Sequence, residues 1–230
     1  MQSFSIKEAL TFAWNTFKKE PWLYGGIALV ALVISIVVDN IGKNAGGLIE
    51  VVVDVVSVLV QWWIYLGFAR IALNAQAGRP INFKMLFAEK WETLYKFALV
   101  MVLTGVIVVI GFVLLIVPGI IAQLMLSMVV FITLEKHMGI VETLKESRRL
   151  TDGHKWNLFG FMLVAIVINI LGALLFGVGL LVTIPVTILA LTYIYKKLDR
   201  RDDIELAAKA MPMPAPAPAA PTAPSAPAQM

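Results

Sequence analysis

Residues 97–117 run without a single charged side chain, and the one hydroxyl among them is Thr104. At ~1.5 Å per residue that run makes a helix of roughly 31 Å, the thickness of a bilayer's hydrocarbon core. It is too long for a strand and too apolar for a solvated loop. Similar stretches occur at residues 22–38, 48–73, 120–134, 157–176 and 180–195. Across the whole chain 60% of residues are apolar and 15% charged, whereas soluble domains run at roughly 45–50% and about 25%. A soluble fold of this size cannot hide that much apolar surface, so the bilayer is the solvent. The expected fold is all-α: a polytopic membrane helix bundle of six transmembrane helices plus interfacial amphipathic helices.

The count of six depends on Pro118-Gly119. A single helix over residues 97–134 would be ~57 Å long, nearly twice what a bilayer accepts. Proline fixes φ and glycine tolerates φ > 0, so a hairpin turn is expected at this pair, separating spans three and four. A second turn is expected in the polar, glycine-rich residues 39–47 between spans one and two. Pro185 is expected to bend span six, a defect that neighbouring helices and threonines can satisfy.

Amphipathic segments precede the spans. Residues 1–20 place Phe4, Ile6, Leu10, Phe12, Ala13, Trp14 and Phe17 near a helical period among charges, which predicts an interfacial helix and not a cleaved signal peptide. Phe83, Met85, Leu86, Phe87, Trp91 and Leu94 predict another within the connection 74–96. The plan of amphipathic segment followed by two spans then repeats at about residues 1–73, 81–134 and 140–197, with Trp22 aligning on Trp156. Residues 1–205 form the membrane domain. Residues 206–230, with seven prolines among the last twenty, are expected to be a disordered cytoplasmic tail.

Under the six-span scheme, 18 of the 19 lysines and arginines fall on one side and Lys43 alone on the other. By the positive-inside rule the basic side, with both termini, is expected in the cytoplasm. The net charge of +4 is spread over short loops, so it reads as topological and not as a nucleic-acid surface.

Two constellations carry candidate chemistry. Glu50, Asp54, Ser57 and Gln61 fall at i, i+4, i+7 and i+11 on one face of span two, and Ser35 and Asp39 lie one turn apart near the same end of span one. Ionised acids within a membrane cost ~2.5 to 3.5 kcal/mol at a helix centre and less near the interface, so they are expected to face protein or water. Asp39, Glu50, Asp54, Ser57 and Gln61 are therefore a candidate polar cavity for a cation or proton, or else marks of the interface and of helix contacts. Lys145, Arg148, Arg149, His154, Lys155 and Trp156 are a candidate contact for anionic lipid headgroups, or else a positive-inside anchor with its belt tryptophan.

Pro118-Gly119-Ile120-Ile121, the run from Glu142 to Trp156, and the Gly78-Arg79 turn with Leu86-Phe87 resemble a bacterial six-span family. It is the membrane domain found fused to some glycerophosphodiester phosphodiesterases and in stand-alone inner-membrane proteins of unassigned function. The resemblance covers about residues 1–200 and implies the bacterial cytoplasmic membrane and an accessory, transport or organising role. The fused proteins' chemistry belongs to a soluble domain this chain lacks, so no catalytic residue carries over.

The sequence has no cysteine, no H-E-x-x-H, no G-x-S-x-G, no Walker loop and no dinucleotide fingerprint. His137 and His154 read as loop residues. No enzyme activity, metal or cofactor is expected. The function expected is a non-enzymatic scaffold or lipid-organising role, the alternative being a small-molecule or ion transporter using the acidic stripe. Membrane lipids are the expected partners, with a second copy or another membrane protein where helices pair.

Overall fold

The computed structural model describes residues 4–45, 47–175 and 177–210, the side chains of residues 39, 42–45 and 201–210 excepted. Among these residues there are helices and no strands. Six helical stretches are long and apolar enough to cross a membrane.

Helix α1 (Ile6–Lys19) starts at Ser5, whose Oγ accepts from the Glu8 N–H at 3.4 Å. Glu8 in its first turn and Lys18 and Lys19 in its last complement the helix dipole. Its inward stripe, Ala9, Ala13 and Phe17, is buried. The helix packs along the charged end of the last span, so it does more than float at an interface.

Helices α2 (Pro21–Ala45) and α3 (Gly47–Gln76) form the first hairpin. The turn expected within residues 39–47 falls at their end: α2 stays helical to Ala45, and Gly47, at φ 60°, opens α3. The reason is local. A continued helix pairs backbone groups that an open loop would leave unpaired near the membrane, and the Asn40 amide adds a bond to the Ile36 carbonyl at 2.8 Å.

The second amphipathic segment is shorter than its sequence suggested: a 3-10 helix, Phe83–Phe87, seated on α3. It lies so close that any Cβ on Gly67 would overlap the Leu86 carbonyl.

Helices α4 (Trp91–Leu114) and α5 (Ile116–Met125) form the second hairpin. Their turn is at Leu115, in extended backbone with φ −167° and ψ 156°, and not at Pro118-Gly119. Pro118 sits in the first turn of α5, where its missing N–H costs nothing. Gly119 serves packing instead. A Cβ there would meet the Phe112 ring at 2.5 Å, and one on Gly111 would meet the Gly119 Cα at 2.9 Å.

The fourth span is also discontinuous, since α5 ends at Met125 and α6 (Val129–Lys136) resumes after a turn at residues 126–128.

Helix α7 (Ile140–Thr151) leads into α8 (Lys155–Leu174) and α9 (Leu180–Ala210), the third hairpin. Its turn repeats the glycine device, because a Cβ on Gly179 would lie 2.5 Å from the Gly172 carbonyl oxygen. Helix α9 crosses the 205/206 boundary expected for the tail. Residues 211–230 lie outside the described residues.

Each hairpin opens with an exposed tryptophan: Trp22 on α2, Trp91 on α4 and Trp156 on α8. The same ends carry α1, the 3-10 helix and α7. The three-unit plan read from the sequence therefore has a structural counterpart, with Trp91 as the third member of the aligned set.

The core is confined to this charged half. Tyr24, Leu66, Ile71, Phe97, Phe131 and Tyr195 are fully buried there, and Phe131 stacks on Tyr195 at 5.1 Å. Toward the far end, Ile36, Val55, Val109 and Leu171 are exposed on α2, α3, α4 and α8. That surface is suited to lipid.

Candidate functional site

A groove of about 180 Å³ opens between α2, α3 and α9. Ser35, Gln61 and Ile184 line its far end, Ala31, Tyr65 and Pro185 its middle, and Ile27 and Phe68 its end nearest the charged half. Pro185 has no N–H to return to the Leu181 carbonyl, so α9 lacks one rung where it lines the groove. The weakened segment is clamped from α8. The Asn169 amide donates to the Thr187 hydroxyl at 3.0 Å and its carbonyl oxygen accepts from the Thr183 hydroxyl at 3.0 Å.

The candidate polar residues distribute around this groove. Gln61 lines it, and its Nε2 donates to the buried Ser57 hydroxyl at 3.3 Å. Glu50 and Asp54 are exposed farther along α3, and among the described residues neither has an ion pair. Asp39 lies within α2, but its side chain is outside the described residues. The five residues are therefore not gathered into one enclosed cavity. They do share a line: Glu50, Asp54, Ser57, Gln61, Ile64 and Phe68 recur at helical spacing, so the acids continue the groove-lining face of α3.

The headgroup candidates divide as well. Lys145 and Arg148 are exposed on α7, and Trp156 is 85% exposed. Arg149 instead turns back to Glu146 at 2.7 Å, Lys155 reaches Asp152 at 3.1 Å, and His154 Nδ1 lies 2.9 Å from the Asp152 carbonyl.

The other face of α7 is built into the bundle. Ser147, fully buried, accepts from the Met128 N–H at 3.3 Å and donates to the Met125 carbonyl at 2.8 Å. Thr151 also reaches that carbonyl, at 3.4 Å. One hydroxyl thus bridges both sides of the break in the fourth span, supplying partners that the interrupted helix cannot.

Ion pairs lock the same end. Lys136 lies between Glu146 at 2.6 Å and Asp199 at 2.7 Å, Lys196 meets Glu135 at 2.6 Å, and Lys197 meets Glu8 at 2.6 Å. Arg149, and after it Lys136, hold the Glu146 carboxyl at about 2, against the raising effect of partial burial.

Sequence reasoning singled out neither Ser147 nor Thr151, although Thr143, Ser147 and Thr151 recur every fourth residue and mark a small, hydroxyl-bearing face. Asn169 with Thr183 and Thr187 was also missed, since single polar residues in apolar runs do not disclose their partners.

Six apolar spans with a charged, ion-paired end and a groove opening within the spans define a multi-pass helical membrane protein. The chain belongs to the DUF975 family of proteins of unknown function, whose family model matches residues 47–202, from the start of α3 into α9. Neither the curated proteins nor the solved structures give a match.

Proposed function

We propose that this chain is a non-enzymatic, lipid-organising scaffold of the bacterial cytoplasmic membrane, with its charged end and both termini on the cytoplasmic side. The observation carrying the reading is the two-faced α7. It buries Ser147 and Thr151 in the bundle while presenting Lys145 and Arg148 outward, beside a tryptophan exposed at the start of α8. A basic surface held rigidly at the level of an aromatic belt suits anionic headgroups. The basic asymmetry of 18 to 1 supports the orientation. The resemblance to a membrane domain fused to phosphodiesterases supports an accessory role.

Lipid mass spectrometry of the protein extracted in native membrane discs tests the headgroup contact. Lys145→Glu with Arg148→Glu is expected to lower retained anionic lipid several-fold, in line with about 1 kcal/mol per basic residue at a membrane surface. An unchanged lipid complement would remove the contact. Reporter fusions after Lys19, Gly78, Glu146 and Arg201 are expected to read cytoplasmic, and one within residues 43–47 external. A cytoplasmic signal from the latter would overturn the orientation.

The second reading, transport, draws support from the acids that continue the groove-lining face. Asp54→Asn preserves shape while removing charge, so a transporter is expected to lose flux at unchanged expression.

A further inference from the structure

The groove between α2, α3 and α9 and the carboxylates above it lie on one line, and together they specify an occupant. On α3 the line runs from Phe68 through Tyr65, Ile64 and Gln61 to Ser57, Asp54 and Glu50. Phe68 to Asp54 is fourteen residues, or ~21 Å at the helical rise. The groove, about 180 Å³ in all and open on one side, is lined mainly by apolar side chains, with Ile27 and Phe68 at its end nearest the charged half. Its far end offers two neutral hydrogen-bonding groups, Ser35 and Gln61. Beyond that end, the same face of α3 carries two exposed acids, Asp54 and Glu50.

The surface beside the groove is apolar. Leu32 on α2 and Val58 on α3, which flank its upper half, are exposed apolar side chains. A polar solute has no reason to cross them, and a purely apolar guest would ignore the acids. An anionic head would meet Asp54 and Glu50 as like charges. We propose that this groove binds a single-chain amphiphile with a cationic ammonium head, its tail directed toward Phe68 and Ile27 and its head level with Asp54 and Glu50. The inference is independent of the headgroup contact on α7, which lies at the opposite end of the spans, and it holds whether or not the bound amphiphile is moved.

Equilibrium binding to the protein in phosphatidylcholine nanodiscs tests it, with empty discs as the background and radiolabelled dodecyltrimethylammonium and dodecyl sulfate as probes. The ammonium probe is expected to bind saturably and about tenfold more tightly than the sulfate, a difference of ~1.4 kcal/mol. Ala31→Leu fills the middle of the groove and is expected to abolish the saturable component. The Glu50→Gln, Asp54→Asn double variant leaves the groove open and is expected to bring the two probes to within about twofold of each other. Thermal unfolding of each variant confirms that it is folded. Equal binding of the two probes by the unmodified protein, survival of ammonium binding in a folded Ala31→Leu protein, or a charge preference unchanged in the double variant would each overturn the proposal.

Discussion

The two halves of the bundle are held by different physics. In the charged half, side chains from distant segments interlock: Lys197 of α9 reaches Glu8 of α1, Lys136 of α6 joins Glu146 of α7 to Asp199 of α9, and Leu86 presses its backbone onto Gly67. In the far half, contact is mainly between sequence neighbours, through the glycine-lined turns of α4 with α5 and α8 with α9, while most apolar side chains face outward. The difference follows from solvent. Where water ends the membrane, burial of apolar surface drives packing. Among lipid tails it does not, and close approach of small residues takes its place.

That contrast predicts a graded response to substitution, read as thermal unfolding in detergent. The largest effect is expected at Gly67, where a Cβ meets the backbone carbonyl of Leu86 and neither can yield cheaply. Gly67→Val should cost about 3 kcal/mol or more, whereas Gly25→Ala, facing open space, should change stability by no more than about 0.5 kcal/mol. Equal effects would mean that the 3-10 helix is not seated as described.

Next is Ser147→Ala, which leaves the Met128 N–H and the Met125 carbonyl buried without their partner and is expected to cost about 1–3 kcal/mol. Ser147→Thr, which keeps the hydroxyl, should recover part of it. Loss of stability in both to the same extent would point to crowding and not to the bridge.

Glu146→Gln is expected to cost about 1 kcal/mol at neutral pH, because the partners stay but the charge goes. Its pH dependence has a fixed sign. A carboxyl lowered from 4.5 to about 2 contributes fully above its unfolded value and loses that contribution as pH falls through its folded value. The gap between the unmodified protein and Glu146→Gln should therefore be constant above about pH 5 and close between about pH 4.5 and 2. A gap that widens on acidification would reverse the assignment.

The smallest effect is expected from Glu50→Gln and Asp54→Asn, at most about 0.5 kcal/mol, since both side chains are exposed in the loosely held half. A loss comparable to that of Ser147→Ala would show that the far half depends on these acids for its stability.

How far the sequence could be read tracks the same division. Span number survives because hydrocarbon thickness and helical rise leave little freedom: a run like residues 97–117 has one use. Turn positions survived only in part. Pro118-Gly119 carries strong turn chemistry, yet a proline in the first turn of α5 is equally content, and the chain reverses three residues earlier at Leu115. The turn predicted within residues 39–47 is present but confined to their end, because the membrane's demand that backbone groups pair keeps α2 helical to Ala45. The acidic stripe was legible from its spacing alone, although the structure leaves Glu50 and Asp54 exposed and not enclosed with Gln61. Its continuation into a groove was not, since that depends on α9 passing beside α2 and α3 with Pro185 at the point of contact.

What the sequence by itself determined is therefore whatever a single helix can record: length, amphipathic face, and the basic residues gathered at one end of the spans. What only the tertiary structure decided is which faces meet. Ser147 reads as an ordinary polar residue on an amphipathic helix until the interrupted fourth span is laid against it. The 18 basic residues that read as a uniform positive belt separate into cations consumed by ion pairs, such as Lys136 and Lys196, and cations left facing outward, such as Lys145 and Arg148. Periodicity is a property of one helix and can be counted. Partnership is a property of two, and chain order does not fix it.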